Sequence, residues 1–377
     1  MKPKFFIITT ISDSLPFFKG QLNVLKESFN IGLVSSPGIH LTELGAEYKV
    51  DEFSVPMERE IAPLKDIKSL WRLYKLFKKE KPVVVHGNTP KASLLSMIAA
   101  YFADVPVRIY YVHGLRYVSV SGLKRKILMA MERVSCAMAT DVIAVSDGVR
   151  KQLIDDHITK KEIQLIWNGS INGIDAELFN RDKVEDIEIE GIKADDFVFG
   201  FIGRVVKDKG VNELIEAFVK LTENYKNVKL LMLGSLEPSD PISEYSEEQI
   251  KSNKNIIYLG QQKDVKPYMK RMDTFVLPSY REGLCGVILE ASSMNVPIIG
   301  SNIAGIREVV QEYFTGELIV EKNVEDLLYA MKDYYSNRDK LKNYSENSRV
   351  FVVNKYEQNK LWIKSLNKYK EIVNNYV

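Results

Sequence analysis

The chain has 377 residues, 45% apolar and 27% charged, which excludes a disordered chain and is long enough for two buried cores. Its 52 Lys and Arg against 50 Asp and Glu leave a formal charge of +2, giving no reason to expect a nucleic-acid partner. The two cysteines, Cys136 and Cys285, form neither a disulfide framework nor a zinc-ligand spacing, and reduced thiols point to a cytoplasmic protein.

The N-terminal MKPKFFIITTI turns polar at Ser12 and reads as a buried first strand rather than a signal segment. Further apolar runs follow at Ile31–Ser35, Val83–His86, Val107–His113, Val142–Ser146 and Ile163–Trp167. A second series comprises Phe197–Gly203, Val228–Gly234, Asn255–Leu259, Thr274–Leu277 and Val296–Gly300. Continuous apolar runs mark strands buried on both faces. Helical patterns separate them; Leu214, Ile215, Phe218 and Leu221 recur at helical spacing after Gly210. Strand–helix–strand alternation predicts an α/β fold with doubly wound parallel sheets. No run is long enough to cross a membrane, which takes ~18 apolar residues.

There are too many strands for one such sheet. The charged stretch Asn180–Asp196 lacks a core face and is expected to be the linker. This predicts Rossmann-like domains over 1–180 and 181–355, facing each other across a cleft, and a helix over 356–377. Leu361, Trp362, Leu366 and Tyr369 line one side of that helix, which could pack on either domain. The first 180 residues carry a net +5 and the rest −3. Ligands of such sheets bind beyond the carboxyl ends of the strands, so the residues there carry the functional reading.

The loop after the first strand, Thr9 to Ser14, has no glycine fingerprint, and no Walker lysine occurs in the chain; both weigh against dinucleotide and P-loop enzymes. After Phe197–Gly203 come Arg204, Lys207, Lys209 and Gly210, then a helix: cations beside a helix N-terminus suit a diphosphate. After Thr274–Leu277 the sequence reads PSYREGLCGVILE, with Glu282 and Glu290 eight residues apart. Gly283 and Gly286 let backbone N–H groups approach a ligand. A carboxylate such as Glu290 accepts two hydrogen bonds from a vicinal diol. Read alone, each segment is no more than a basic turn or a helix glutamate.

Together, GRVVKDKG at 203–210 and PSYREGLCGVILEA at 278–291 resemble the two signature segments of GT-B-fold glycosyltransferases of family 4. NGSINGIDAELF at 168–179 is similar to an interdomain stretch of bacterial polysaccharide members. HGNTPKASLL at 86–95 and VHGLRYVSVSGLKRKILMAMERV at 112–134 resemble the capsular-polysaccharide branch acting on lipid-linked sugars.

The resemblance implies a retaining transferase that moves a sugar from a nucleotide sugar, UDP by expectation, to a hydroxyl of a lipid-linked or polysaccharide acceptor. It implies that Arg204 and Lys209 bind the diphosphate, Glu282 the sugar hydroxyls and Glu290 the ribose. Backbone groups of Gly283, Leu284, Cys285, Gly286 and Val287 would support the diphosphate and sugar. His113 would contact the donor sugar near the reacting carbon. Ser12, His86 and Lys91 are acceptor-side candidates. No cofactor and no divalent metal is expected, the positive charge coming from Arg204, Lys209 and a helix N-terminus.

Two departures stand out. Ser12, Asp13 and Ser14 occupy the loop where the family often has two glycines, and Leu284-Cys285-Gly286 replaces the branch's Phe-Gly-Asn. The alternatives are a sugar-nucleotide 2-epimerase of the same fold and a non-catalytic glycan-binding subunit.

Trp71, Leu73, Tyr74, Leu76 and Phe77 sit among Arg72, Lys75, Lys78, Lys79 and Lys81, and a second basic-apolar segment spans 122–128. Read alone, these pack on the sheet. With a polyprenyl-linked acceptor they imply peripheral contact at the inner face of the cytoplasmic membrane.

Overall fold

The computed structural model describes residues 2–377. Two compact units divide the chain: one runs through Asn172 and resumes at Gln358–Val377, the other spans Gly173–Glu357.

The first unit holds a seven-stranded sheet of β1 (Lys4–Ile8), β2 (Asn30–Ser35), β3 (Asp51–Ser54), β4 (Val84–Gly87), β5 (Val107–Val112), β6 (Asp141–Ala144) and β7 (Ile163–Leu165). Their order is β3-β2-β1-β4-β5-β6-β7, and every pairing is parallel. The second unit holds six strands: β8 (Phe197–Ile202), β9 (Val228–Leu233), β10 (Ile256–Tyr258), β11 (Thr274–Leu277), β12 (Ile298–Ser301) and β13 (Gly316–Ile319). They run β10-β9-β8-β11-β12-β13, again all parallel. Strand order reverses between β1 and β4 in one sheet and between β8 and β11 in the other. At such a switch point the loops beyond the carboxyl ends diverge and leave room for a ligand.

The fold class is the one expected from the sequence. The helix Val211–Asn224 buries Leu214, Ile215, Phe218 and Leu221 completely, each contributing about 1.5–3 kcal/mol of apolar transfer. Two strands escaped the sequence reading. β3 (DEFS) is mostly exposed and β13 (GELI) half-buried. Both lie at sheet edges, where one side of the strand lacks a partner and an apolar run is not required.

The domain limits need correction. The first boundary falls at Asn172 rather than 180, and Gly173–Asn180 joins the second unit. Residues 180–196 are no linker either: Ile189 is buried, and Val184, Ile187 and Ile192 pack on the second core. Their apolar positions are too sparse to give a sequence signal. The terminal helix begins at Gln358 and belongs to the first unit. There Trp362 donates Nε1–H to Asn172 Oδ1 at 2.7 Å, and Tyr369 is 1% exposed.

Candidate active site

In the second unit the loops after β8 and β11 are joined by their own side chains. Arg281 Nε donates to Asp208 Oδ2 at 2.8 Å, Tyr280 N–H to Asp208 O at 2.9 Å, and Tyr280 O–H to Glu213 Oε1 at 2.6 Å. Gly210 makes this approach possible. Its φ is +69°, and a Cβ there would stand 2.0 Å from Pro278 O, so both backbone conformation and space demand glycine.

This clasp brings Lys209 against Glu282, and their side chains form an ion pair only 18% and 13% exposed. Arg204, at the end of β8, pairs with Glu237 at 3.0 Å and remains more open. The helix Ala304–Arg307 backs the glutamate loop closely: a Cβ on Gly305 would lie 2.5 Å from Glu282 O.

Gly283, Leu284 and Cys285 lead into the helix Gly286–Ser293, which has no side-chain cap. Its first N–H groups are therefore available to an anion. A Cβ on Gly286 would meet nothing within 4 Å, and Val287 is half-buried, so space lies open above that N-terminus. Cys285 is buried, its thiol pushed far up by desolvation; it fills space and is no nucleophile. Glu290 lies one turn into the helix. Burial raises its carboxyl to about 7, against a smaller opposing pull from Lys266. It forms no ion pair or side-chain hydrogen bond among the described residues, leaving both carboxylate oxygens for a ligand's hydroxyls.

In the first unit, His113 follows β5. It stacks on Tyr111 with ring centroids 4.9 Å apart, and its Nε2 lies 3.1 Å from Asn88 Oδ1. Asn88 Nδ2 donates to Ile8 O and His86 O, which fixes the amide's orientation. Nε2 must therefore carry the proton, and Nδ1 is left as an acceptor. Desolvation lowers the imidazole to about 4, so it is neutral near pH 7. Asn88 thus sets the tautomer of a candidate residue, a role that its place in the sequence does not show.

The acceptor-side candidates are differently placed. His86 is 1% exposed, ringed by Phe5, Phe18, Tyr111 and Tyr369, and its Nε2 lies 3.1 Å from Tyr369 Oη. It is a core residue rather than a surface ligand. Ser12 is also buried, Oγ donating to Asp13 at 3.2 Å beside Gly38. Lys91 is buried on the first turn of the helix Pro90–Phe102, paired with Asp66 at 2.8 Å.

Of the first basic-apolar segment, Leu73 and Phe77 are core residues, whereas Trp71 is 56% exposed, stacked on Tyr74 under Lys75. No helix among the described residues is long and apolar enough to cross a membrane.

Residues 182–351 match the model "Glycosyl transferases group 1", and residues 38–170 match "Glycosyltransferase Family 4". A Staphylococcus aureus protein named capsular polysaccharide biosynthesis glycosyltransferase CapM is 35% identical across 95% of this chain and 94% of its own. The chain belongs to the family 4 glycosyltransferases. An Escherichia coli member of this family, named UDP-Gal:alpha-D-GlcNAc-diphosphoundecaprenol alpha-1,3-galactosyltransferase, is 31% identical over 87% of this chain and 85% of its own. Among solved structures, Anabaena Alr3699/HepE in complex with UDP and glucose superposes with a TM-score of 0.76, at 17% identity, over 98% of this glycosyltransferase and 99% of that chain. At that identity the likeness is one of fold, the GT-B fold.

Proposed function

We propose that this glycosyltransferase moves a sugar, with retention of configuration, from a UDP-sugar to a hydroxyl of a lipid-linked acceptor in capsular polysaccharide synthesis. The observation that carries the reading is the Lys209–Glu282 pair at the switch point of the second sheet, beside an uncapped helix N-terminus. The name of the Escherichia coli relative, with a UDP-sugar donor and a diphosphoundecaprenol-linked acceptor, supports the donor and acceptor classes; that of the Staphylococcus aureus relative supports capsular polysaccharide synthesis, and the UDP and glucose bound by the Anabaena protein support the nucleotide.

Without donor, Lys209 and Glu282 neutralise each other. A diphosphate offers Lys209 a denser anionic partner and releases Glu282 to accept hydrogen bonds from sugar hydroxyls. Arg204 exchanges Glu237 for the same diphosphate. The two cations and the Gly286–Ser293 helix N-terminus then stabilise the charge that grows on the leaving diphosphate, without a divalent metal. Glu290 accepts the ribose diol. His113, with Nδ1 unprotonated, accepts a hydrogen bond from a sugar hydroxyl. The enzyme works in the cytoplasm, at the membrane surface where its acceptor resides.

A thermal-shift series with UDP, GDP, ADP and CMP, each with and without EDTA, tests the donor side. A ligand at 100 times its Kd adds about 2.7 kcal/mol of stability. A UDP-selective shift insensitive to EDTA is expected. A shift with GDP alone would replace the donor, and no shift with any nucleotide would overturn the reading.

A further inference from the structure

Two ion pairs cross between the loops after β8 and β11, and they do so in parallel register. Asp208 and Lys209 are neighbours on one loop, Arg281 and Glu282 on the other. Acid therefore meets base twice: Arg281 Nε lies 2.8 Å from Asp208 Oδ2, and Lys209 closes on Glu282. A shift of one position would set Lys209 against Arg281, cation against cation. In the function proposed above only the second pair has a task.

The two pairs differ in what else holds them. Lys209 and Glu282 form no other side-chain hydrogen bond or ion pair among the described residues. A ligand that takes Lys209 therefore leaves Glu282 with no side chain to fix it. Asp208, by contrast, sits where three loops converge. Its N–H donates to Asp240 Oδ2 at 2.9 Å, which brings in the loop after β9, and Lys207 N–H donates to Asp240 O at 3.3 Å. Asp208 O accepts the Tyr280 N–H at 2.9 Å. Tyr280, immediately before Arg281, is held at its hydroxyl by Glu213 and carries Lys322 Nζ 4.6 Å from its ring centroid. None of these contacts involves Lys209 or Glu282. With side chains 26% and 35% exposed, the Asp208–Arg281 pair adds little to overall stability; what it fixes is position. Asp208 also neutralises a guanidinium that would otherwise compete with Lys209 for Glu282.

We infer that Asp208 and Arg281 are positioning residues: they keep the β8 and β11 loops joined while the donor draws Lys209 off Glu282, and so hold Glu282 in place for the donor sugar. The inference rests on the donor roles proposed above for Lys209 and Glu282. The clasp then consists of one pair that opens in each catalytic cycle and one that stays closed throughout it.

Amide hydrogen exchange of residues 282–285 in the full chain, with and without saturating UDP, tests this. Without UDP, Lys209 and Glu282 still join the loops, and Arg281→Met should exchange within about threefold of the wild type. With UDP the wild type should stay as protected, whereas Arg281→Met should exchange about tenfold faster or more, both ties between the loops being lost. Arg281→Lys, which keeps the charge, should restore most of the protection. Asp208→Asn removes the same ion pair, leaves both backbone bonds of Asp208 intact and should reproduce Arg281→Met. UDP affinity by calorimetry should stay within about threefold in all three variants, since losing a charge-assisted phosphate contact costs about tenfold or more. Equal loosening with and without UDP would reduce the pair to a structural brace and overturn the inference. Unaltered exchange in the UDP-bound Arg281→Met and Asp208→Asn variants would overturn it as well. A loss of UDP affinity of about tenfold in Arg281→Met alone would place Arg281 on the phosphates, and the positioning role would fall. Failure of the wild type to bind UDP would instead strike the donor reading.

Discussion

Lys209 and Glu282 stand 73 residues apart in the sequence and meet as an ion pair where the second sheet reverses its strand order. In the function proposed above each is the other's partner only until the donor arrives, so their substitutions should separate donor binding from transfer.

Glu282→Ala should reduce turnover by about 10²–10³, the usual loss when a preorganised contact to the reacting group is removed. UDP affinity should stay within a few-fold, since UDP carries no donor sugar. Kinetics with a UDP-sugar beside calorimetry with UDP checks this. If UDP binding fell as far as turnover, Glu282 would have no role at the sugar.

Lys209→Ala should do the opposite on the binding axis. A charge-assisted hydrogen bond to diphosphate contributes about 1.5–3 kcal/mol, so UDP should bind roughly ten- to a hundredfold more weakly. Unchanged affinity in the same calorimetric titration would remove Lys209 from the diphosphate.

Gly210→Ala places a methyl group 2.0 Å from Pro278 O at a φ of +69°. The left-handed backbone alone costs about 1–2 kcal/mol, and the clash forces the β8 and β11 loops apart. Chemical denaturation should show a loss of at least that size. Weakened UDP binding should accompany it, because Lys209 and Glu282 hang on those loops.

Glu132 gives a signed pH test. Its carboxyl is raised in the folded state to about 7, mainly by burial, from an ordinary 4.5. Between those values the folded protein holds the proton and the unfolded chain releases it, so this group's contribution is complete below pH 4.5 and is lost as pH rises toward 7. Glu132→Gln should therefore gain stability relative to the wild type across that window, on the order of 1 kcal/mol per pH unit. His86 and His113 are lowered by desolvation to about 3 and about 4 and act with the opposite sign. They destabilise both proteins alike as pH falls below 6.5, and the difference between wild type and variant cancels them. A flat difference across pH 4.5–7 in urea melts would show that Glu132 titrates normally.

Tyr369→Phe removes the hydroxyl beside His86 Nε2 and leaves a buried ring nitrogen unpaired, at a cost of about 1–3 kcal/mol. Thermal denaturation should show the drop without any change in UDP affinity, because both residues belong to the first unit. An unaltered melting temperature would mean that the hydroxyl contributes nothing there.

The candidate residues of the second unit could be named from the sequence. Arg204, Lys209 and Glu282 lie in the loops that follow buried strands and Glu290 in the helix after one, positions readable locally, although the family resemblance was needed to join them. The clasp of Asp208 on Arg281 and of Glu213 on Tyr280 was not, since each joins residues about seventy positions apart through ordinary surface residue types. The role of Asn88 was hidden for the same reason: it comes from facing His113 across neighbouring strands β4 and β5. His86 shows the converse failure. Strand-end position suggested a ligand contact, yet the aromatic rings that close over it include Tyr369, which arrives from residue 358 onward.

That late arrival affects synthesis. Residues 173–357 form a contiguous unit that can collapse on its own as it leaves the ribosome. The first unit, although made earlier, lacks the ring that seals its histidine until residues 358–377 emerge. Nascent chains stalled before that point should expose the aromatic floor around His86, making the older half of the molecule the last to become protease-resistant.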